Sequence, residues 1–126
     1  MERFTVNGKD VEFDPFDLDA LDSYLSGLEN VDEERRAKLE GETAVEALRR
    51  TCHAVLDFFD DLLGEGAAEE LFGQRVNVKV IYDGFGAFVT QINACVGDYA
   101  RTMHAGQTLS GAASRAQRRE EQRRRS

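Results

Sequence analysis

Apolar residues recur along most of this chain at intervals of three and four. Only the first stretch follows another rule. Phe4 and Val6 alternate with polar neighbours, Asn7-Gly8-Lys9-Asp10 follows, and Val11 and Phe13 alternate again. Alternation puts side chains on one face of a strand, and Asn-Gly is a turn sequence because both residues tolerate positive φ. The pattern predicts a β-hairpin over residues 3–13. Two strands alone are marginal in water, so the hairpin must lie on helices or pair with another chain.

Beyond Pro15 no proline interrupts the chain, and long helices are permitted. Asp17 is the expected N-cap of a first helix, with Leu18, Leu21, Leu25 and Leu28 as its apolar face. Gly27 and Asn30 weaken that run, and Asp32 is placed to cap a continuation through Leu39. Residues 31–42 are almost all polar, as in a solvated helix or a loose link.

The second helix carries the clearest signals. Thr43 and Glu46 form a capping box, in which each side chain serves the other residue's backbone N–H. Val45, Leu48, Cys52, Val55, Phe59 and Leu62 make a seam, widened by Leu56, Phe58 and Leu63. Gly64 is expected to end it as a left-handed residue. A short helix over residues 67–72 stops at Gly73. A last helix is expected to start at the Asn77 cap, with Ile81, Phe85, Phe88, Ile92, Cys95, Tyr99 and Met103 as its seam and Val89 and Val96 beside it. Alternating valines leave open a brief extended piece over residues 76–80. Gly84, Gly86 and Gly97 each cost about 1 kcal/mol in a helix relative to Ala, so packing must offset them, and small residues let another element approach closely. The predicted fold is mainly α: a small helical bundle with a short N-terminal β-hairpin.

Charge divides the chain differently. Residues 1–106 hold 10 Lys+Arg against 22 Asp+Glu, a net −12, whereas residues 107–126 hold six Arg and two Glu, a net +4. The apolar signal stops at Gly106. We therefore read a helical domain over 1–106 and a flexible basic tail over 107–126, disordered alone. With 126 residues there is room for one core. No run of about 18 apolar residues is present to span a bilayer. The first residues lack the basic start and apolar stretch of a signal peptide, which points to the cytoplasm. Two cysteines make no disulfide framework, and both are expected reduced.

Candidate chemistry is sparse. Cys52 and His53 are adjacent and leave a helix in different directions, and Cys95 and His104 lie too far apart to share a turn, so no metal site is expected. Asp57, Asp60 and Asp61 lie within one turn, but the plainer reading is a solvated acidic face. No Ser or Cys sits in a nucleophile elbow, and the Gly64-Glu65-Gly66 run lacks the lysine and hydroxyl of a phosphate loop. We expect no catalytic residue, no cofactor and no enzyme. The arginine run from Arg115 through Arg118 and Arg119 to Arg125 suits phosphate, but no aromatic residue is interleaved for base stacking. It suits an acidic protein surface equally, that of a partner or of this body.

Several segments taken in order are familiar: Phe4-Thr5-Val6-Asn7-Gly8-Lys9 through Phe13-Asp14, then the block from Asp57 to Gly66, then Leu71-Phe72-Gly73 with Asn77, and Ser114-Arg115-Ala116-Gln117-Arg118-Arg119. Together they resemble the small tail assembly chaperones of tailed phages and prophages of Gram-positive bacteria, over nearly the whole chain. The resemblance implies a non-enzymatic helper in the host bacterial cytoplasm. Its partners would be the tape measure protein and the tail tube protein. Self-association is a further expectation, and the acidic body disfavours membrane and nucleic acid. A chaperone for a helical client needs apolar surface. The positions expected to supply it are Leu56, Phe58, Leu63, Phe72, Phe85 and Val89, with Arg115, Arg118 and Arg119 in the tail. The alternatives are a nucleic-acid-binding or regulatory protein acting through the arginine run, and a minor structural protein of the virion.

Overall fold

Asn7 and Gly8 both adopt positive φ, 51° and 79°, in the computed structural model, which describes the backbone of residues 1–110 and the side chains of residues 1–103. That turn matches the right-handed twist of its flanking strands. It joins β1 (Glu2–Val6) to β2 (Lys9–Phe13), paired antiparallel with Phe4 opposite Val11 and Glu2 opposite Phe13. Phe4, Val6 and Phe13 are buried, so one face of the hairpin is core. Arg3 and Glu12 pair across the other face.

The hairpin rests on helices of its own chain. Gln91 holds the edge of β1, donating to the Thr5 carbonyl at 2.7 Å while accepting from the Thr5 N–H at 3.0 Å. A strand edge is thereby covered by a side-chain amide instead of another strand. At the turn, Asn7 Nδ2 donates to the Leu71 carbonyl at 2.8 Å and Lys9 Nζ to that of Glu70 at 2.5 Å. Both acceptors are end-of-helix carbonyls that lack a partner inside their helix.

Four helices follow among the described residues: α1 (Leu18–Arg36), α2 (Ala44–Leu63), α3 (Ala67–Phe72) and α4 (Val78–Ser110). The fold is mainly α, a small bundle carrying an N-terminal hairpin. The expected caps form. Asp17 accepts from the N–H groups of Asp19 and Ala20, Thr43 and Glu46 close their capping box, and Asn77 accepts from Val80 at 3.1 Å. Val78 to Val80 are helical, so residues 76–80 do not form an extended piece. Gly64 has φ 115° and ψ 153°, a positive-φ extended conformation and not the left-handed helical one expected. Gly66 takes the left-handed role, and the Asp60 carboxylate accepts from Ala68 N at 2.8 Å at the start of α3.

α1 departs furthest from expectation. It runs unbroken through Gly27 and Asn30, without re-capping at Asp32, and ends at Arg36. Its buried residues are Tyr24 and Val31, whereas Leu18 and Leu25 are exposed at 76% and 53%. The leucine repeat is therefore split: Leu21 and Leu28 are half-buried at three-four spacing with Tyr24 and Val31, and Leu18 and Leu25 face outward. Gly27 explains the choice: a Cβ there would lie 2.6 Å from Phe58 Cδ1. The glycine face is the one that lets the Phe58 ring close on α1.

The core of the first unit is aromatic. Phe58 meets Phe59 and Phe85 edge-on at 5.3 Å, and Phe59 meets Phe72 at 5.3 Å and Phe88 at 5.2 Å. Phe4 and Phe13 of the hairpin reach Phe88 at 6.0 and 6.1 Å. Such pairs contribute about 0.5–1.5 kcal/mol each beyond area burial. Gly84 admits Phe72 and Val6; a Cβ there would lie 2.5 Å from Phe72 Cε1. Gly86 faces open space.

By contacts the chain divides into Met1–Ile92 and Asn93–Ser126, a boundary inside α4. In the second unit Arg101 pairs with Asp98, Thr102 donates to the Asp98 carbonyl, and Tyr99 and Met103 are half exposed. α4 continues into the first residues assigned to the basic tail; the rest of that tail lies outside the described residues.

Candidate protein-binding surface

α1 and α2 run antiparallel, because Arg50 reaches the end of α1 while Phe58 packs on its middle at Tyr24 and Gly27. Arg50 is the polar tie between them. Its Nε and Nη2 donate to the two Glu42 carboxylate oxygens at 2.9 and 3.0 Å. Nη1 donates to the Glu34 carboxylate and carbonyl, both at 2.8 Å, and Nη2 also to the Ala37 carbonyl at 3.2 Å. A planar fork suits this bidentate task. The pairing holds the Glu42 carboxyl below its ordinary range and raises the guanidinium above its own. The polar stretch after α1 is thus pinned at its two ends.

A second tie joins α2 to α4. Tyr82 donates to Thr51 Oγ1 at 2.6 Å, Thr51 donates to the Leu48 carbonyl at 3.0 Å, and the Arg35 guanidinium lies 5.5 Å from the centre of the Tyr82 ring. α1 and α2 leave a cleft of about 620 Å³ that runs from Arg50 and Glu34 to Phe58 and Leu62. Small residues, Gly27 and Ala54, open it, and Phe58 and Leu62 contribute apolar lining. Its volume falls in the range of small-ligand and peptide-side-chain pockets.

The residues expected to face a partner are placed unequally. Phe58 and Phe72 are buried, at 4% and 9% exposure, and are spent inside the fold. The reason is geometric: α3 folds back over α2, and Phe72 and Phe58 both close on Phe59. Leu56, Leu63, Phe85 and Val89 are half-buried. Arg115, Arg118 and Arg119 lie outside the described residues.

Apolar surface stands elsewhere. Val45 and Leu48, assigned to the α2 seam, are 63% and 45% exposed. Leu18 and Leu25 are exposed on α1, and Val78 is exposed at the start of α4. Val45, Leu48, Leu18 and Leu25 were missed because each falls on a regular apolar repeat. The available signal was length: the α2 seam spans 18 residues from Val45 to Leu62, more than a short bundle covers.

The surface offers contact and charge. Cys52 is 1% exposed, and burial pushes its thiol up, away from the reactive thiolate. Among the described residues no three His, Cys, Asp or Glu side chains gather as they would to hold a metal ion, and no helix is long and apolar enough to cross a membrane. No curated protein and no solved structure matches the chain. One family does match, over residues 7–123, and with nearly the whole length covered the chain belongs to the family described as "Family of unknown function (DUF6673)".

Proposed function

We propose that this protein is a non-enzymatic assembly helper of tailed phages that binds the tape measure protein while the tail forms. The observation that carries the reading is apolar surface on an acidic body: Leu18 and Leu25 on α1 and Val45 and Leu48 on α2. Helical clients are gripped through apolar side chains at helical spacing, and surrounding acidity opposes aggregation of the binder. The order of segments that resembles tail assembly chaperones supports the same reading. The tail tube protein is a second partner on this view, and the place of action is the host bacterial cytoplasm.

Co-expression with a phage tape measure protein tests the reading. We expect co-purification at low and moderate salt. Val45→Asp with Leu48→Asp should reduce recovery several-fold while circular dichroism stays unchanged. Absence of co-purification at both salt conditions overturns the proposal.

The arginine run favours one alternative, nucleic-acid binding. A filter-binding titration separates the two. Affinity that falls steeply with salt and disappears on deleting residues 115–125 would favour the alternative. A structural role predicts the chain in purified particles, where an assembly helper is absent.

A further inference from the structure

The α1–α2 cleft is lined by polar side chains that the fold does not use. Ser23 and Asn30 come from α1, and His53, Asp57 and Asp61 from α2. Among the described residues none of these five side chains makes a hydrogen bond or ion pair within the chain. Their neighbours are committed. Asp60 accepts from Ala68, and Arg50 is shared between Glu34 and Glu42. The cleft's arginine is therefore already neutralised, while Asp57 and Asp61 stand exposed one turn apart and make no ion pair among the described residues. Like charges at that spacing destabilise a helix. An opposite charge brought from outside would remove that cost.

Every copy of the chain carries such a charge. Six arginines fall within residues 115–125, against two glutamates. We propose that the α1–α2 cleft receives this arginine-rich run from a second copy of the chain. Guanidinium forks pair two ways with carboxylates, and Asp57 and Asp61 offer two adjacent ones. Ser23 and Asn30 supply further acceptors, and Phe58 supplies an apolar wall for the methylene stems. An acidic receptor and a basic insert on the same molecule make a heterologous contact, which propagates from copy to copy. This inference stands apart from the client reading: either can fail alone.

The full-length chain tests it in two ways. Sedimentation velocity should show association that grows with protein concentration at low salt and is lost at high salt, where a shorter Debye length screens the charges. Asp57→Asn with Asp61→Asn should weaken association at least tenfold with unchanged circular dichroism. In parallel, Arg118→Lys chains, half of them 15N-labelled, are treated with a zero-length carbodiimide. Isotopically mixed crosslinks from the introduced lysine to Asp57 or Asp61 are expected. Crosslinks confined to single-isotope pairs, or to carboxylates outside the cleft, overturn the proposal. So does association that the double asparagine variant leaves unchanged.

Discussion

α1 and α2 lie against each other and carry similar apolar repeats, but the fold buries the two repeats to different extents. In α2 the repeat and the buried face coincide from Cys52 to Phe59. In α1 the leucine repeat at 18 and 25 faces water, and the buried stripe is Tyr24 and Val31 with Gly27 between them. The difference lies in what each helix must accommodate. α2 brings two adjacent rings, Phe58 and Phe59, and these need space on whatever packs beside them. α1 provides that space at one glycine. The buried stripe of α1 has half-buried Leu21 and Leu28 on one side and the gap at Gly27 that admits the ring on the other, because interiors are close-packed and two bodies cannot share a volume.

The comparison can be broken most forcefully from the α2 side. Phe59 is fully buried and touches rings from α3 and α4. Phe59→Ala should cost about 3–5 kcal/mol in urea unfolding. From the α1 side, Gly27→Ala pushes a methyl into the Phe58 ring, and overpacking of this kind costs about 1–3 kcal/mol, partly offset by about 1 kcal/mol of helix propensity. Gly86→Ala meets open space and should stabilise by about 1 kcal/mol. If the two glycine variants shift the midpoint alike, close packing at Gly27 is not what orients α1.

Tyr24 sharpens the comparison further. It is 1% exposed and its hydroxyl has no hydrogen-bond partner among the described residues. An unpaired buried hydroxyl is a cost, so Tyr24→Phe should be neutral or stabilising, by up to about 1 kcal/mol. Burial also pushes its pKa up to about 12 from 10.0. The folded state thus holds the phenolic proton more tightly than the unfolded state. The stability that Tyr24 contributes in this way is fully present below pH 10 and is lost as pH rises toward about 12. An alkaline titration of stability should fall over that window in the parent chain and less steeply in Tyr24→Phe. The smallest effect is expected at Leu25: Leu25→Lys, on the exposed leucine face, should change stability by less than about 0.5 kcal/mol. A loss of several kcal/mol there would mean that the leucine face is covered in solution.

Much of the fold could be read without coordinates, and the legible parts share one trait: their causes are local. The Asn7-Gly8 turn, the Asp17, Thr43 and Asn77 caps and the stop at Gly73 each depend on a few neighbouring residues meeting their own backbone. The candidate surface was less legible. Val45 and Leu48 continue the α2 seam without a break, yet α2 extends beyond what its partners cover there. Phe58 and Phe72 read as surplus apolar residues and proved to be core, because α3 turns back onto α2.

Local hydrogen bonding and period, then, determined where the chain turns, where each helix starts and that one face of each must be hidden. Which face of α1 that would be was decided between elements, by the fit of the Phe58 ring to Gly27. The same holds for the Arg50 tie, whose partners lie 16 and 8 residues away and meet it only once α1 and α2 are side by side. Helical spacing sets which residues share a stripe. Only shape and volume in three dimensions select the stripe that is buried.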